Sequence, residues 1–311
     1  MPQSAAQKNM KLLALILPVF TVVIVSGCIG GSVVSTGNGI VIEDFKPTLS
    51  EIYSEQEINL LLRIENQGEA RAEDIEAKIF GISTDEWDVF DEEKDFDDLL
   101  GVDPVNNVPG GTRQAQWTQL EAPELMTGQS HTYTPKVRVS YDYSTSAQKP
   151  ITIVDKTEMT RLIQEGQSIP TGVTEYTAGP IAVDIKTGDF ALSDTDSDYS
   201  FNLYIRLTNL WWGSNGRVES EDSSFGDSSD QYPLEMMITL PDELDFASWA
   251  DECSSSWEDI TMWDGQTTEI TCELEVDDAP DIMTEGLIRV DLRYRFSVDA
   301  STTIKVTGIN S

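Results

Sequence analysis

The sequence predicts an all-β protein made of two β-sandwiches in tandem. Three observations carry this. Short stretches alternate apolar and polar residues with period two and are bounded by Gly, Asn and Pro turn signals. The order of those stretches in residues 40–155 recurs in residues 180–311. An apolar fraction of 39% with seven Trp supplies real cores, which a disordered acidic chain lacks.

The first half opens with Ile40-Val41-Ile42-Glu43-Asp44-Phe45-Lys46-Pro47, a strand ending at proline. In the next strand Ile58, Leu60, Leu62 and Ile64 share one face, and Asn59, Arg63 and Glu65 share the other. Asn66-Gln67-Gly68 is read as a turn that uses positive φ. Ala70 to Phe80 follows, with Ile75, Ala77 and Ile79 alternating. Strands over 129–134, 136–143 and 151–154 complete the half. In 136–143, Val137, Val139, Tyr141 and Tyr143 lie on one face.

The second half repeats this order from Pro180. Phe201 to Asn209 matches Ile58 to Asn66 with an offset of 143, and Ile288 to Tyr294 matches Val137 to Tyr143 with an offset of 151. Gly265-Gln266 echoes Gly128-Gln129, and Thr303-Ile304-Lys305-Val306 closes the chain. Drifting offsets between ordered anchors point to a duplicated module with loop insertions. Between the halves, Asp155 as N-cap, Glu158 three residues on and Gly166 as a stop predict a short helix with Met159, Leu162 and Ile163 as its stripe. The expected organisation is a signal over 1–27, a Gly/Ser tether over 28–39, sandwiches over 40–155 and 180–311, and a helix and linker over 156–179.

The N-terminus carries Lys8 and Lys11 without an acid, then 14 uncharged residues from Leu12 to Val25. That length suits the apolar core of a secretory signal and falls short of the roughly 20 residues of a membrane span. The following Val25-Ser26-Gly27-Cys28 resembles the lipobox of secreted lipoproteins. The resemblance implies lipidation of the Cys28 thiol, cleavage before it, and attachment to the outer face of the cell membrane. The competing reading is an uncleaved anchor. Both place the remainder outside the cytoplasm.

Asn66-x-Gly68 after an alternating strand, with Ala70 and Ala72 leading into the next, resembles the CARDB/NEW3 type of immunoglobulin-like module found in archaeal and bacterial surface proteins. The resemblance covers residues 40–80 best. It implies two immunoglobulin-like domains on an archaeal-type lipoprotein, with an adhesive or scaffolding role and no catalytic site. In the second half Leu210-Trp211-Trp212 intervenes before Gly213, so the matching turn is longer.

Residues 1–27 hold two of the 20 basic residues and none of the 55 acidic ones, which leaves 18 basic against 55 acidic groups beyond them, a net −37. Such a field repels nucleic acid and anionic lipid and suits a saline exterior. Besides Cys28, only Cys253 and Cys272 are present, an even pair that an oxidising compartment would join. With the lone His131 they cannot supply four zinc ligands.

Several stretches are weighed as sites. The acidic run from Asp85 to Asp103 reads as a solvated charge run, with Ca²⁺ binding as the alternative, and its interspersed Trp87, Phe90, Phe96 and Leu99 could fold a small helix or cap over the first sandwich. Asp194, Asp196 and Asp198 begin like an EF-hand loop but lack Gly at position six and Glu at twelve, which leaves a looser Ca²⁺ site or a plain acidic turn. Trp211 and Trp212 either contact a ligand such as a glycan or cap the core. Trp249, Trp257 and Trp263 flank Cys253 and are expected around the disulfide. Arg289, Arg293 and Arg295 form a basic stripe expected to pair with Glu273 and Glu275 on the preceding strand. No Ser, Cys or His is tied into a nucleophilic motif, so no catalytic residue is assigned. The expected partners are the membrane, through lipid on Cys28, and an envelope or surface protein.

Overall fold

The computed structural model describes residues 38–169, 172–188, 191–193, 199–211, 214–219, 232–247, 252–262, 265–277, 280 and 282–309. Cys28 and the signal before it, Asp194, Asp196, Asp198, Trp212, Trp249 and Trp263 lie outside the described residues.

The fold is all-β with one short helix. The first half contains β1 (Ile40–Pro47), β2 (Glu51–Tyr53), β3 (Glu57–Asn66), β4 (Glu73–Phe80), β5 (Glu93–Phe96), β6 (Thr112–Glu121), β7 (Ser130–Tyr133) and β8 (Lys136–Asp155). After α1 (Lys156–Glu165) come β9 (Glu175–Tyr176), β10 (Ile181–Lys186), β11 (Ala191–Ser193), β12 (Ser200–Asn209) and β13 (Gly216–Glu219). The chain ends with β14 (Tyr232–Thr239), β15 (Leu244–Phe246), β16 (Glu258–Met262), β17 (Thr267–Val276), β18 (Met283–Ser301) and β19 (Ile304–Thr307).

A nine-stranded sheet in the order β16-β14-β18-β8-β4-β5, with β9 and β11 on β8 and β13 on β18, runs through both halves. The sheets β1-β3-β6 and β10-β12-β17-β15 bury their apolar faces with it in one hydrophobic core. The duplication is visible in the pairing. In the first half β3 joins β1 to β6, and β4 joins β5 to β8; in the second, β12 joins β10 to β17, and β14 joins β16 to β18. This corrects one match. β17 follows Gly265-Gln266 and takes the role of β6, so their counterpart is Gly110-Gly111 before Thr112, not Gly128-Gln129. The backbone agrees: Asn66 N donates to Gly111 O at 3.0 Å and Asn209 N to Gln266 O at 2.9 Å.

The two strands expected at 136–143 and 151–154 are one 20-residue strand, β8. Val137, Val139, Tyr141, Tyr143, Thr145 and Ala147 keep the inward face buried straight through. All 19 residues of β18 pair with β8, from Met283↔Val154 to Ser301↔Lys136. The halves therefore share a sheet, and the linker over 156–179 does not divide it. Residues 35–311 form one compact unit. β19 closes the chain on the first half, parallel to β2 and antiparallel to β7.

Helix α1 starts as its sequence predicts: Asp155 accepts from Thr157 N at 2.7 Å, and Gly166 ends it at φ 69°. Both ends of the reciprocal half of the capping box have partners elsewhere. Asp155 N donates to Ile282 O on the edge of β18, and Glu158 turns instead to Arg161. Of the apolar stripe only Leu162 is buried.

The acidic run forms no helix. Glu93–Phe96 becomes β5, an edge strand on β4. Trp87 and Leu99 plug the core, Trp87 edge-on to Tyr133 with centroids 5.1 Å apart.

Candidate interaction surface

Among the described residues, the waist where the two halves meet is the most constructed part of the surface. Each half presents there the asparagine that ends its central strand. Asn66 Nδ2 donates to Ala70 O (2.8 Å) and Leu99 O (3.1 Å), and its Oδ1 accepts from Gly68 N (3.1 Å). Asn209 repeats this with Gly265 O (3.0 Å) and Trp211 N (2.9 Å). Both side chains are buried, and each holds a loop by satisfying backbone groups that would otherwise be orphaned. Gly68 has no positive φ; it is glycine because a Cβ would meet the Tyr143 hydroxyl at 1.9 Å and Asn38 O at 2.5 Å.

The Tyr143 hydroxyl accepts from Ala70 N (3.1 Å) and donates to Ala178 O (3.2 Å), so it ties the first half to the entrance of the second. Tyr141 receives Ile40 N at 3.0 Å, and Tyr294 bonds Thr145 at 2.7 Å. Burial raises all three phenols above their ordinary values, so they act as neutral hydrogen-bonding groups.

Beside this waist the segment Leu99–Gly111 folds back as a small hairpin. Leu99 is buried, while Leu100, Val105 and Val108 face outward around an open cleft of about 990 Å³. Asp103 and Val108 exchange backbone hydrogen bonds at 3.0 Å, and Asn106 N donates to Asp103 Oδ1 at 3.0 Å. The Asn106 side chain also donates to Asp103 and holds its carboxyl below the usual range.

The outer face of the long sheet is ionic. Arg138, buried on β8, binds Asp299 on β18 through Nε–Oδ1 at 2.7 Å and Nη2–Oδ2 at 2.8 Å, with Glu219 at 3.5 Å. Desolvation raises the Asp299 carboxyl, opposed by the Arg138 charge. The arginine stripe pairs, but not as expected. β17 and β18 belong to different sheets, so Glu273 and Glu275 are not its partners. Arg295 instead meets Asp142 (2.9 Å) and Glu76 (3.3 Å), Arg289 meets Asp291 (2.8 Å), and Arg293 stacks over Trp257 at 3.9 Å.

The other sequence candidates are scattered. Trp211 is half-buried against the core and over Gly216, whose Cβ would meet it at 2.6 Å. Cys253 and Cys272 are joined, with Cα atoms 5.6 Å apart. His131 is exposed on β7 and edge-on to Tyr133. Carboxylates of the acidic run are drawn into separate pairs, Glu93 with Lys78, Asp91 with Lys94 and Asp98 with Arg71. Among the described residues no group of three or more His, Cys, Asp or Glu is placed to hold a metal. Sequence reasoning missed the hairpin and the Arg138–Asp299 pair; the duplicated strands were the signal that would have put residues 138 and 299 side by side.

The fold thus defines an all-β protein whose halves repeat one strand order and share a sheet. No family model and no curated relative matches the chain. Among solved structures, the collagen-binding domain of the Erysipelothrix rhusiopathiae surface protein RspB aligns over 88% of this chain and 99% of that one, at 8% identity and a TM-score of 0.14, too low to carry over fold or function.

Proposed function

We propose that the chain is a membrane-anchored, extracytoplasmic surface lipoprotein of archaeal type, whose two immunoglobulin-like, CARDB/NEW3-like repeats serve as a non-enzymatic scaffold or adhesion module. One observation carries the reading: the 19-residue ladder between β8 and β18. A scaffold must hold its surfaces at fixed separation, and a strand pair common to both repeats removes the hinge that a linker would leave. The charge pairs on its outer face fix the same ladder. The anchoring half of the proposal rests on Val25-Ser26-Gly27-Cys28 and the charged, then apolar, segment before it. Its partner is an envelope or surface protein.

The test is Cys28→Ser in the native cell type. Loss of lipid labelling with release of protein, or accumulation of precursor, is expected. A mature, membrane-bound form unchanged by the substitution would overturn the anchor. Crosslinking from intact cells, read for a stoichiometric protein partner, tests the scaffold role, and turnover of a small substrate by the purified chain would overturn it.

A further inference from the structure

We propose that the hairpin Asp103–Val108 is a second membrane contact, inserting Val105 with Leu100 and Val108 into the lipid surface to which the chain is tethered. This rests on the anchored reading above. Val105 is 91% exposed, Leu100 64% and Val108 50%. They sit on a built element: the Asp103–Val108 bridge, the Asn106 side chain on Asp103, and Gly111 N on Leu100 O at 2.8 Å hold the tip in shape. The tip shows Val105 to solvent beside Pro104, Asn106 and Asn107, and the apolar area of Val105, Leu100 and Val108 leaves water only when something covers that side of the hairpin.

Chain geometry names the cover. Val102 N donates to Gly68 O at 2.7 Å, Gln67 N donates to Gly39 O at 2.9 Å, and Asn38 Nδ2 reaches Gln67 at 3.3 Å. The hairpin therefore stands beside the point where the chain leaves the sandwich toward Cys28. Ten residue steps separate Cys28 from Asn38, a reach of at most about 35 Å. A membrane holding Cys28 lies within that distance of Asn38. The flanking Arg71 and Arg113 face Asp98 and Asp97 at 3.5 and 3.9 Å, which leaves the apex free of a net positive charge that would demand anionic lipid.

The full lipidated chain is reconstituted in phosphatidylcholine vesicles with an environment-sensitive fluorophore at Val105→Cys, and the unsubstituted chain treated identically supplies the background. Spin-labelled lipid should quench that label roughly twofold or more, because insertion to about 5–10 Å brings it among the acyl chains. The same label at Met126→Cys should stay unquenched. Met126 is 76% exposed, but beside Gly308 and the far end of β3. Vesicle-bound protein with an unquenched Val105 label overturns the contact and leaves the anchor standing. Protein that does not float with the vesicles overturns both. A label shielded equally with and without vesicles assigns the apex to a second copy or to the chain's own apolar segment, and overturns the lipid contact.

Discussion

Tyr143 and Tyr294 are direct register partners across the β8–β18 ladder, their ring centroids 6.2 Å apart. They are also matching positions in the duplicated sequence, so the two repeats pair with each other about this point. Each repeat donates half of a long strand to its neighbour's sheet. A fold built this way has no independent halves to melt.

Urea unfolding is therefore expected to follow one transition, coincident by tyrosine and tryptophan fluorescence and by far-ultraviolet dichroism. Tyr143→Ala should lower stability by about 3–5 kcal/mol, the usual cost of truncating a buried aromatic, without splitting the transition. Two separated transitions in the wild-type chain would show that the shared ladder does not couple the repeats.

Asn66→Ala leaves Gly68 N, Ala70 O and Leu99 O without their partner in a buried site. A cost of about 2–3 kcal/mol is expected, measured as a drop in the urea midpoint. Asn209→Ala should cost a similar amount, since it strips the same kinds of contact from Trp211 N and Gly265 O. A loss confined to one of the two would mean that the duplicated turns do not carry equal weight.

These turns show how the sequence was and was not legible. The alternation in Ile58–Ile64 and Phe201–Leu207 gave strands, faces and even the repeat offset, because a half-buried strand writes its pattern into every second residue. The continuity of β8 was hidden because Ser144-Thr145-Ser146-Ala147 packs small residues where two sandwiches meet, and small polar residues read as a loop. β6 was missed for a related reason: an edge strand buries little beyond Trp117 and Leu120, so Thr112–Glu121 carries no alternation. The turn at Gly68 was found but explained by φ, whereas its cause is a tyrosine from a strand 75 residues away. Local chemistry cannot report a neighbour that only the tertiary fold supplies.

Arg138→Met takes the guanidinium from the half-buried Asp299 carboxylate. Asp299 then keeps its partial desolvation without its guanidinium, and stability should fall by about 2–3 kcal/mol at pH 7. The pH dependence has a definite sign. Burial already holds Asp299 above its ordinary value of 3.8, so the folded state binds this proton more tightly than the unfolded chain. Its stabilising contribution is present below 3.8 and is lost as pH rises through the raised folded value. Removing Arg138 raises that value further and widens the window. The deficit of Arg138→Met relative to wild type should therefore shrink as pH is lowered toward 4, read from urea curves at each pH. A deficit independent of pH would place the cost in packing rather than in the uncompensated charge.

The net charge of −35 over the whole chain makes a separate prediction about salt. Self-repulsion at that charge opposes the compact state, and the Debye length falls from about 10 Å at 0.1 M to 3 Å at 1 M. The thermal midpoint at pH 7 should rise with sodium chloride over that range. The bidentate Arg138–Asp299 pair, buried on its Arg138 side, should lose less than exposed pairs. A midpoint that falls with salt would mean that the surface ion pairs outweigh the repulsion.

Reducing the disulfide should lower the single global transition and loosen the second repeat first. Cys253 precedes β16 on the long sheet and Cys272 lies within β17 on the facing four-stranded sheet, so the bond staples the two layers of the second half. The first half has no cysteine and closes its layers with the buried Trp87 and Trp117, whose indole donates to Glu92 O at 3.3 Å. Opening the loop between the cysteines should cost roughly 3 kcal/mol in the chain-entropy model. The loss should appear as faster amide exchange in β16 and β17 under reducing conditions, relative to the oxidised chain. Amides of β3 and β6 should speed up only by the lost global stability, since no cross-link is lost on that side. Equal acceleration in β3 and β16 would mean that the staple stabilises the molecule only through its global equilibrium, and that the second repeat has no local opening of its own.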